Sequence, residues 1–208
     1  MDAMIKTLIF DLGGVLIPFD STRSFVAMEP FCDYSAEQIP AMLRQTDLVR
    51  RFETGLIGSQ EFASQLSALL GLRVNYQEFC SLWTKPFLPE ALAPPEMLEK
   101  LHRRYRLIAL SNTNPIHFEA VQRIYPFLAH FDDFVLSYKV GCLKPAALIY
   151  EEALRRAGCL PAECLYIDDS ESYVAAAAGL GIKAEQFRDH ASLAEVLADH
   201  GVVSGEAI

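Results

Sequence analysis

The sequence predicts an α/β protein: a doubly wound parallel sheet with a helical unit inserted after the first strand. Three observations predict it. Short, continuous apolar runs recur along the chain, as strands buried on both faces would need. From about residue 95 onward these runs alternate with segments carrying helix-end signals. Between the first run and the second lie roughly 75 residues, far more than one crossover helix requires.

The runs are TLIF (7–10), RLIAL (106–110), DFVLS (133–137), CLYI (164–167) and GIKAEQF (181–187). Inside the insertion, a helix is expected over roughly residues 40–53, with Ser35 and Gln38 resembling a capping box ahead of it. In SQEFASQLSALLG, Phe62, Leu66, Leu69 and Leu70 fall on one helical face, Ser59 offers an N-cap and Gly71 a stop. Pro94-Pro95 marks the return to the sheet. Asn114-Pro115 reads as an N-cap followed by proline at the first helical position. Pro145 offers the same start for PAALIYEEALRRAG, which stops at Gly158. Leu193, Val196 and Leu197 give a last amphipathic helix that ends before Gly201. The expected division is a core at 1–17 and 94–208 and a helical insertion at 18–93.

At 208 residues the chain can bury one core plus a modest insertion. With 51% hydrophobic and 22% charged residues it has the composition of a globular protein. The formal charge of −9 and the absence of any cation run longer than a pair speak against a nucleic-acid partner. Small anionic substrates need only one or two local cations and stay open. No segment approaches the roughly 18 apolar residues of a membrane helix. Asp2 and Lys6 flank a stretch that reads as a strand rather than a signal peptide. Five cysteines without a CxxC pattern read as reduced thiols, so a cytoplasmic protein is expected, as a monomer or homodimer.

In a doubly wound sheet, ligands bind at the carboxyl ends of the strands. The first strand ends in Asp11, the second in Ser111-Asn112, the fourth in Asp168-Asp169, and Lys144 lies in a turn after the third. Three carboxylates, a hydroxyl and one ammonium would thus meet at one edge. Each type has a use in phosphoryl transfer. A carboxylate can attack phosphorus. Mg²⁺ takes hard oxygen ligands such as Asp11 and Asp169, and Lys144 offers a point charge to phosphate oxygens. Ser111 can donate a hydrogen bond to a phosphoryl oxygen, and the helix start near Asn114 presents free amides to an anion.

Taken together, IFDLGGVL, LSNTN, the lysine of CLKP and YIDDS resemble, in order, the four motifs of the haloacid dehalogenase superfamily of aspartate-nucleophile hydrolases. The resemblance spans essentially the whole chain. The insertion matches the position of the superfamily's helical C1 cap, and ETGLI (53–57) resembles a recurrent turn of that cap. The nearest subgroup is the bacterial phosphatases with FDLGNV- or FDLGGV-type first motifs, among them an α-D-glucose-1-phosphate phosphatase. The resemblance implies Asp11 as nucleophile and metal ligand, the Gly13 backbone carbonyl as a second ligand and Asp169 as a third, with Asp168 a ligand or a support behind it. It implies Ser111, Asn112 and Lys144 as phosphate-binding groups, Lys144 also as catalytic, and Mg²⁺ as cofactor. The implied reaction is hydrolysis of a small phosphate monoester, a sugar phosphate foremost, through an aspartyl-phosphate.

Gly13 is the departure. Most phosphatases of the superfamily carry there a second acid that protonates the leaving group and then activates water. A glycine leaves that role to another group: a metal-bound water, a cap residue or Asp20. Two other functions share the scaffold, a 2-haloacid dehalogenase working without metal and a non-catalytic phosphate-binding protein. The acid pair 168–169 disfavours the first, and the retained Asp11, Lys144 and Asp169 disfavour the second. Among the histidines, His117 follows LSNTNP closely enough to face the site; surface or helix-end roles suit most of the others. Phe19, Phe52 and Trp83 are candidates for the pocket wall, with core packing the default for aromatics of a helical insertion.

Overall fold

A computed structural model describes residues 3–203. Asp2 and the outermost ends of the expected core (1–2 and 204–208) lie outside the described residues. Five parallel strands form the sheet: β1 (Thr7–Phe10), β2 (Arg106–Ser111), β3 (Asp133–Leu136), β4 (Cys164–Asp168) and β5 (Lys183–Gln186). Their order is β3-β2-β1-β4-β5, as a doubly wound sheet requires. After β1 the chain builds outward through β2 and β3, then returns to lay β4 on the other side. The winding therefore reverses between β1 and β4, and that crevice is where such sheets bind ligands.

Side chains alternate across the sheet with the period of two that a strand imposes. Leu8 and Phe10 of β1 enter one core with α6 (Pro95–His102), α7 (Pro115–Ile124) and α11 (His190–Asp199). Ile9 enters the opposite core with α9 (Ala147–Ala157) and α10 (Glu171–Ala178). Both faces are covered, which explains why the runs of β1, β2 and β4 are mainly apolar, while the edge strand β5 (KAEQ) is only partly buried.

The insertion is helical: α1 (Thr22–Met28), α2 (Ile39–Arg44), α3 (Leu48–Glu53), α4 (Ser59–Leu70) and α5 (Tyr76–Trp83). It has its own core around Phe52, Phe62, Phe79 and Trp83, with Phe52 stacked on Phe62 at 4.1 Å between ring centroids. Ile116 of α7 reaches into this cluster from the sheet side.

Three expected helix boundaries move. The helix foreseen over 40–53 is two helices, α2 and α3, because the Thr46 hydroxyl captures the Leu48 amide (3.3 Å) and interrupts the ladder. Ahead of it, the Ser35 amide donates to the Gln38 side chain at 3.0 Å, one half of the expected box. In α4 the cap is Gly58, in extended backbone, and Ser59 is the first helical residue. α9 begins at Ala147 rather than Pro145, because residues 143–146 close a turn through Ala146 N–H to Leu143 C=O (2.9 Å). Gly71 and Gly158 stop their helices in the left-handed conformation, and Asn114 caps α7 through its side chain, all as expected.

The insertion meets the sheet domain at another left-handed glycine turn. After α3, Gly55 (φ +71°) lies so close to the backbone of α8 (Ser137–Val140) that a Cβ there would stand 2.2 Å from the Tyr138 carbonyl oxygen. Gly55→Ala should therefore destabilise by more than the roughly 1–2 kcal/mol of a left-handed alanine alone. Urea denaturation of the two proteins measures the difference.

Candidate active site

Strand register brings the site together. Phe10 pairs with Ala109 on one side and Ile167 on the other, so Asp11, the end of β2 and Asp168 share one edge. The Asp11 amide donates to the Ile167 carbonyl at 2.9 Å, and the Asp11 carboxylate accepts from the Leu12 amide at 2.7 Å.

Lys144 occupies the centre. Its ammonium is 3.0 Å from Asp11 Oδ1 and 2.6 Å from Asp168 Oδ2, and it donates to the Leu110 carbonyl at 3.3 Å. All three side chains are buried. Burial alone would lower the lysine's pKa, but Asp11 and Asp168 together outweigh it and hold the ammonium charged. Burial pushes the Asp11 carboxyl up to about 6, with the Lys144 charge pulling the other way. Asp168 is saturated: Oδ2 takes Lys144 and the Tyr166 hydroxyl, and Oδ1 takes the Ser170 amide at 2.8 Å.

Asn112 positions the lysine from behind. Its carbonyl oxygen accepts from the Lys144 amide (2.8 Å) and its amide donates to the Lys144 carbonyl (3.2 Å). The side chain expected to bind phosphate is thus engaged with the loop that carries the ammonium. Ser137, which carried no sequence signal, ties the next residue down by accepting from the Thr113 amide and donating to its carbonyl, both at 2.9 Å.

Asp11, Asp168 and Asp169 each offer an oxygen within 4.8 Å of the others, a hard donor set of the kind Mg²⁺ takes. Gly14 (φ +82°) leaves room for this set: a Cβ there would fall 2.4 Å from Asp169 Oδ2. Burial and the neighbouring Asp168 both raise Asp169, the situation a divalent cation would relieve.

Above the edge lies a cavity of about 230 Å³. Asp11, Ser111, Lys144 and Asp169 give it a polar floor, while Phe19, Phe87 and Phe118 give it an apolar wall. Of the three aromatics foreseen near the pocket, Phe19 lines the cavity, while Phe52 and Trp83 are buried in the insertion's core.

A model of the haloacid dehalogenase-like hydrolases matches residues 5–181. The chain belongs to this family. It is 28% identical over 189 residues to the D-ribitol-5-phosphate phosphatase of Bacteroides thetaiotaomicron, covering 88% of this chain and 92% of the relative. The fold is similar to that of the family enzyme BT-2542 from the same organism, whose crystal structure holds magnesium and inorganic phosphate (TM-score 0.77, 28% identity, 89% of this chain and 95% of that one). It is also similar to a HAD-like hydrolase of Porphyromonas gingivalis (TM-score 0.78, 30% identity, 94% and 98%). This hydrolase has no helix, among the described residues, long and apolar enough to cross a membrane.

His117 faces the cavity but is fully occupied. Nε2 lies 2.9 Å from the Trp83 carbonyl, which can only accept, so that nitrogen carries the hydrogen. Nδ1 then accepts from the Asn114 amide nitrogen at 3.1 Å. Desolvation lowers the imidazole's pKa to about 4, and a second proton on Nδ1 would face that same amide nitrogen. The sign follows from linkage: the unfolded chain takes up a proton near 6.5 that the folded chain refuses until about 4. This contribution is complete above pH 6.5 and is lost as pH falls from 6.5 to 4. It is worth roughly 3 kcal/mol. Denaturation midpoints of the parent should fall across that window, and those of His117→Gln should fall less.

Proposed function

We propose that this enzyme is a Mg²⁺-dependent phosphatase that hydrolyses a small phosphate monoester, of the sugar- or polyol-phosphate class, through an aspartyl-phosphate. One observation carries the reading: the Lys144 ammonium sits between Asp11 and Asp168, with Asp169 alongside, on the floor of a metabolite-sized cavity. The similarity to a D-ribitol-5-phosphate phosphatase supports the substrate class.

Asp11 is the nucleophile. Its carboxylate is fixed by the Leu12 amide and Lys144, so attack needs no reorganisation. Asp11, the Gly13 carbonyl and Asp169 would hold Mg²⁺, with Asp168 held behind them. The metal, when bound, offsets repulsion between an anionic nucleophile and an anionic substrate. Ser111 and the Lys144 ammonium bind the phosphoryl oxygens, and Asn112 acts through Lys144. The apolar wall of Phe19 and Phe87 lowers the polarity of the surroundings in which the phosphoryl group would react.

A dehalogenase would work without a cation and would leave Asp168 and Asp169 facing Asp11 with Lys144 as their one counter-charge. A pure phosphate-binding protein would show Mg²⁺-dependent affinity and no turnover. The test is phosphate release from a panel of sugar and polyol phosphates. Turnover should require Mg²⁺, vanish with EDTA, and fall by at least about 10³-fold in Asp11→Asn, where the nucleophile is gone. Full activity in Asp11→Asn, or indifference to EDTA, would refute the proposal.

A further inference from the structure

We propose that Glu53, at the end of α3 in the helical insertion, is the general acid–base that replaces the acid absent at Gly13. The assignment takes the phosphatase reading above as its premise. Glu53 lines the cavity whose floor is Asp11, although it lies 42 residues along the chain and in a different core. Its neighbours hold it there. Phe52 is anchored in the insertion's aromatic cluster, the Thr54 hydroxyl donates to the Arg50 carbonyl at 2.8 Å, and Gly55 seats against Tyr138.

The other titratable groups of the cavity are committed. Lys144 is shared by two carboxylates, and both ring nitrogens of His117 are used. The Tyr173 ring lies beneath the Lys144 ammonium at 5.0 Å, with its oxygen next to the Asn112 amide. Asp169 belongs to the metal set. Asp20 lies outside the cavity lining, just ahead of α1, where it accepts from the Thr22 amide (3.0 Å) and hydroxyl (2.6 Å).

Of the carboxyls that line the cavity, Glu53 is the one with no hydrogen-bond or ion-pair partner among the described residues. Burial, unopposed, raises it to about 7, where a group can both give and take a proton near neutrality. The charged neighbours on adjoining elements are turned elsewhere: Glu61 of α4 toward Arg51, and Lys139 of α8 toward the rings of Phe118 and Tyr138. Asp11, Lys144 and Asp169 face it across the cavity, and Glu119 of α7 stands nearer Tyr138.

The two half-reactions balance. Asp11 attacks phosphorus, the P–O bond to the ester oxygen breaks, and that oxygen takes the Glu53 proton and leaves as an alcohol. The Glu53 carboxylate then takes a proton from water as the water oxygen attacks the aspartyl-phosphate. The P–O bond to Asp11 breaks, phosphate leaves, and both carboxyl groups return to their starting states.

The experiment compares kcat/KM of parent, Glu53→Gln and Asp11→Asn on two substrates. One is the best alkyl phosphate of the panel; the other is p-nitrophenyl phosphate, whose phenolate leaves without a proton. For aryl ester, kcat/KM covers the steps up to nitrophenolate release only. Glu53→Gln should lose about 10²–10⁴-fold on the alkyl ester and stay within about threefold of the parent on the aryl ester. The alkaline fall in the parent's alkyl-ester profile, centred near pH 7, should be absent from the variant. Glu53→Ser is the second variant should Glu53→Gln melt below the assay temperature. Equal losses on both esters, or none on either, overturn the role of Glu53 while leaving the phosphatase reading intact. Parent turnover of neither ester, with Asp11→Asn indistinguishable from it, overturns both.

Discussion

The structure depends on one buried cation. Lys144 brings a full positive charge into a place where its side chain is 1% exposed, and two carboxylates at the ends of adjacent strands accept it. Removing any member would strand uncompensated charge in a low-dielectric interior, the most costly arrangement a protein can hold. Hence the care with which the trio is supported: Asn112 grips both backbone groups of Lys144, Tyr166 and the Ser170 amide complete Asp168, and the Leu12 amide steadies Asp11. Three strand ends and one loop are thereby locked into a single register before any ligand arrives. The charge that holds these carboxylates together is also the charge a phosphoryl group would meet.

The sheet was legible in the sequence because a parallel sheet covered on both faces writes itself as continuous apolar runs. All five strands fall where those runs lie, and the order places β1 in the middle. Helix ends with a strong chemical signal, such as Asn114-Pro115 and Gly158, were equally readable. The breaks at Thr46 and Pro145 were not, because each depends on a hydrogen bond whose outcome composition does not reveal. Asp133, at the start of β3, pairs with Arg156 at 2.7 Å and takes no part in the cavity.

For the site, chain order and strand ends brought Asp11, Ser111, Lys144 and Asp169 to one cavity without any knowledge of geometry. What stayed hidden came from the third dimension. Asn112 looked like a ligand group because it follows Ser111, yet its side chain turns back to Lys144. Tyr166 looked like one more apolar strand residue, yet its hydroxyl reaches Asp168. Glu53 stood in plain view within ETGLI, but only the fold of the insertion shows that this glutamate, rather than Arg50 or Arg51, lines the cavity.

The acidity of Glu53 has a single source, its removal from water. A carboxyl made basic by a neighbouring anion would keep that property wherever the neighbour travelled with it. One made basic by burial alone keeps it only while the insertion sits over the sheet. Were the insertion to lift off the sheet, solvent would reach the side chain, its ordinary acidity would return, and the proton would pass to bulk water. Seating Gly55 against Tyr138 again would reverse this and draw a proton in. Any such movement would then itself be a proton exchange with the surroundings, and its balance would respond to pH before any phosphate is bound.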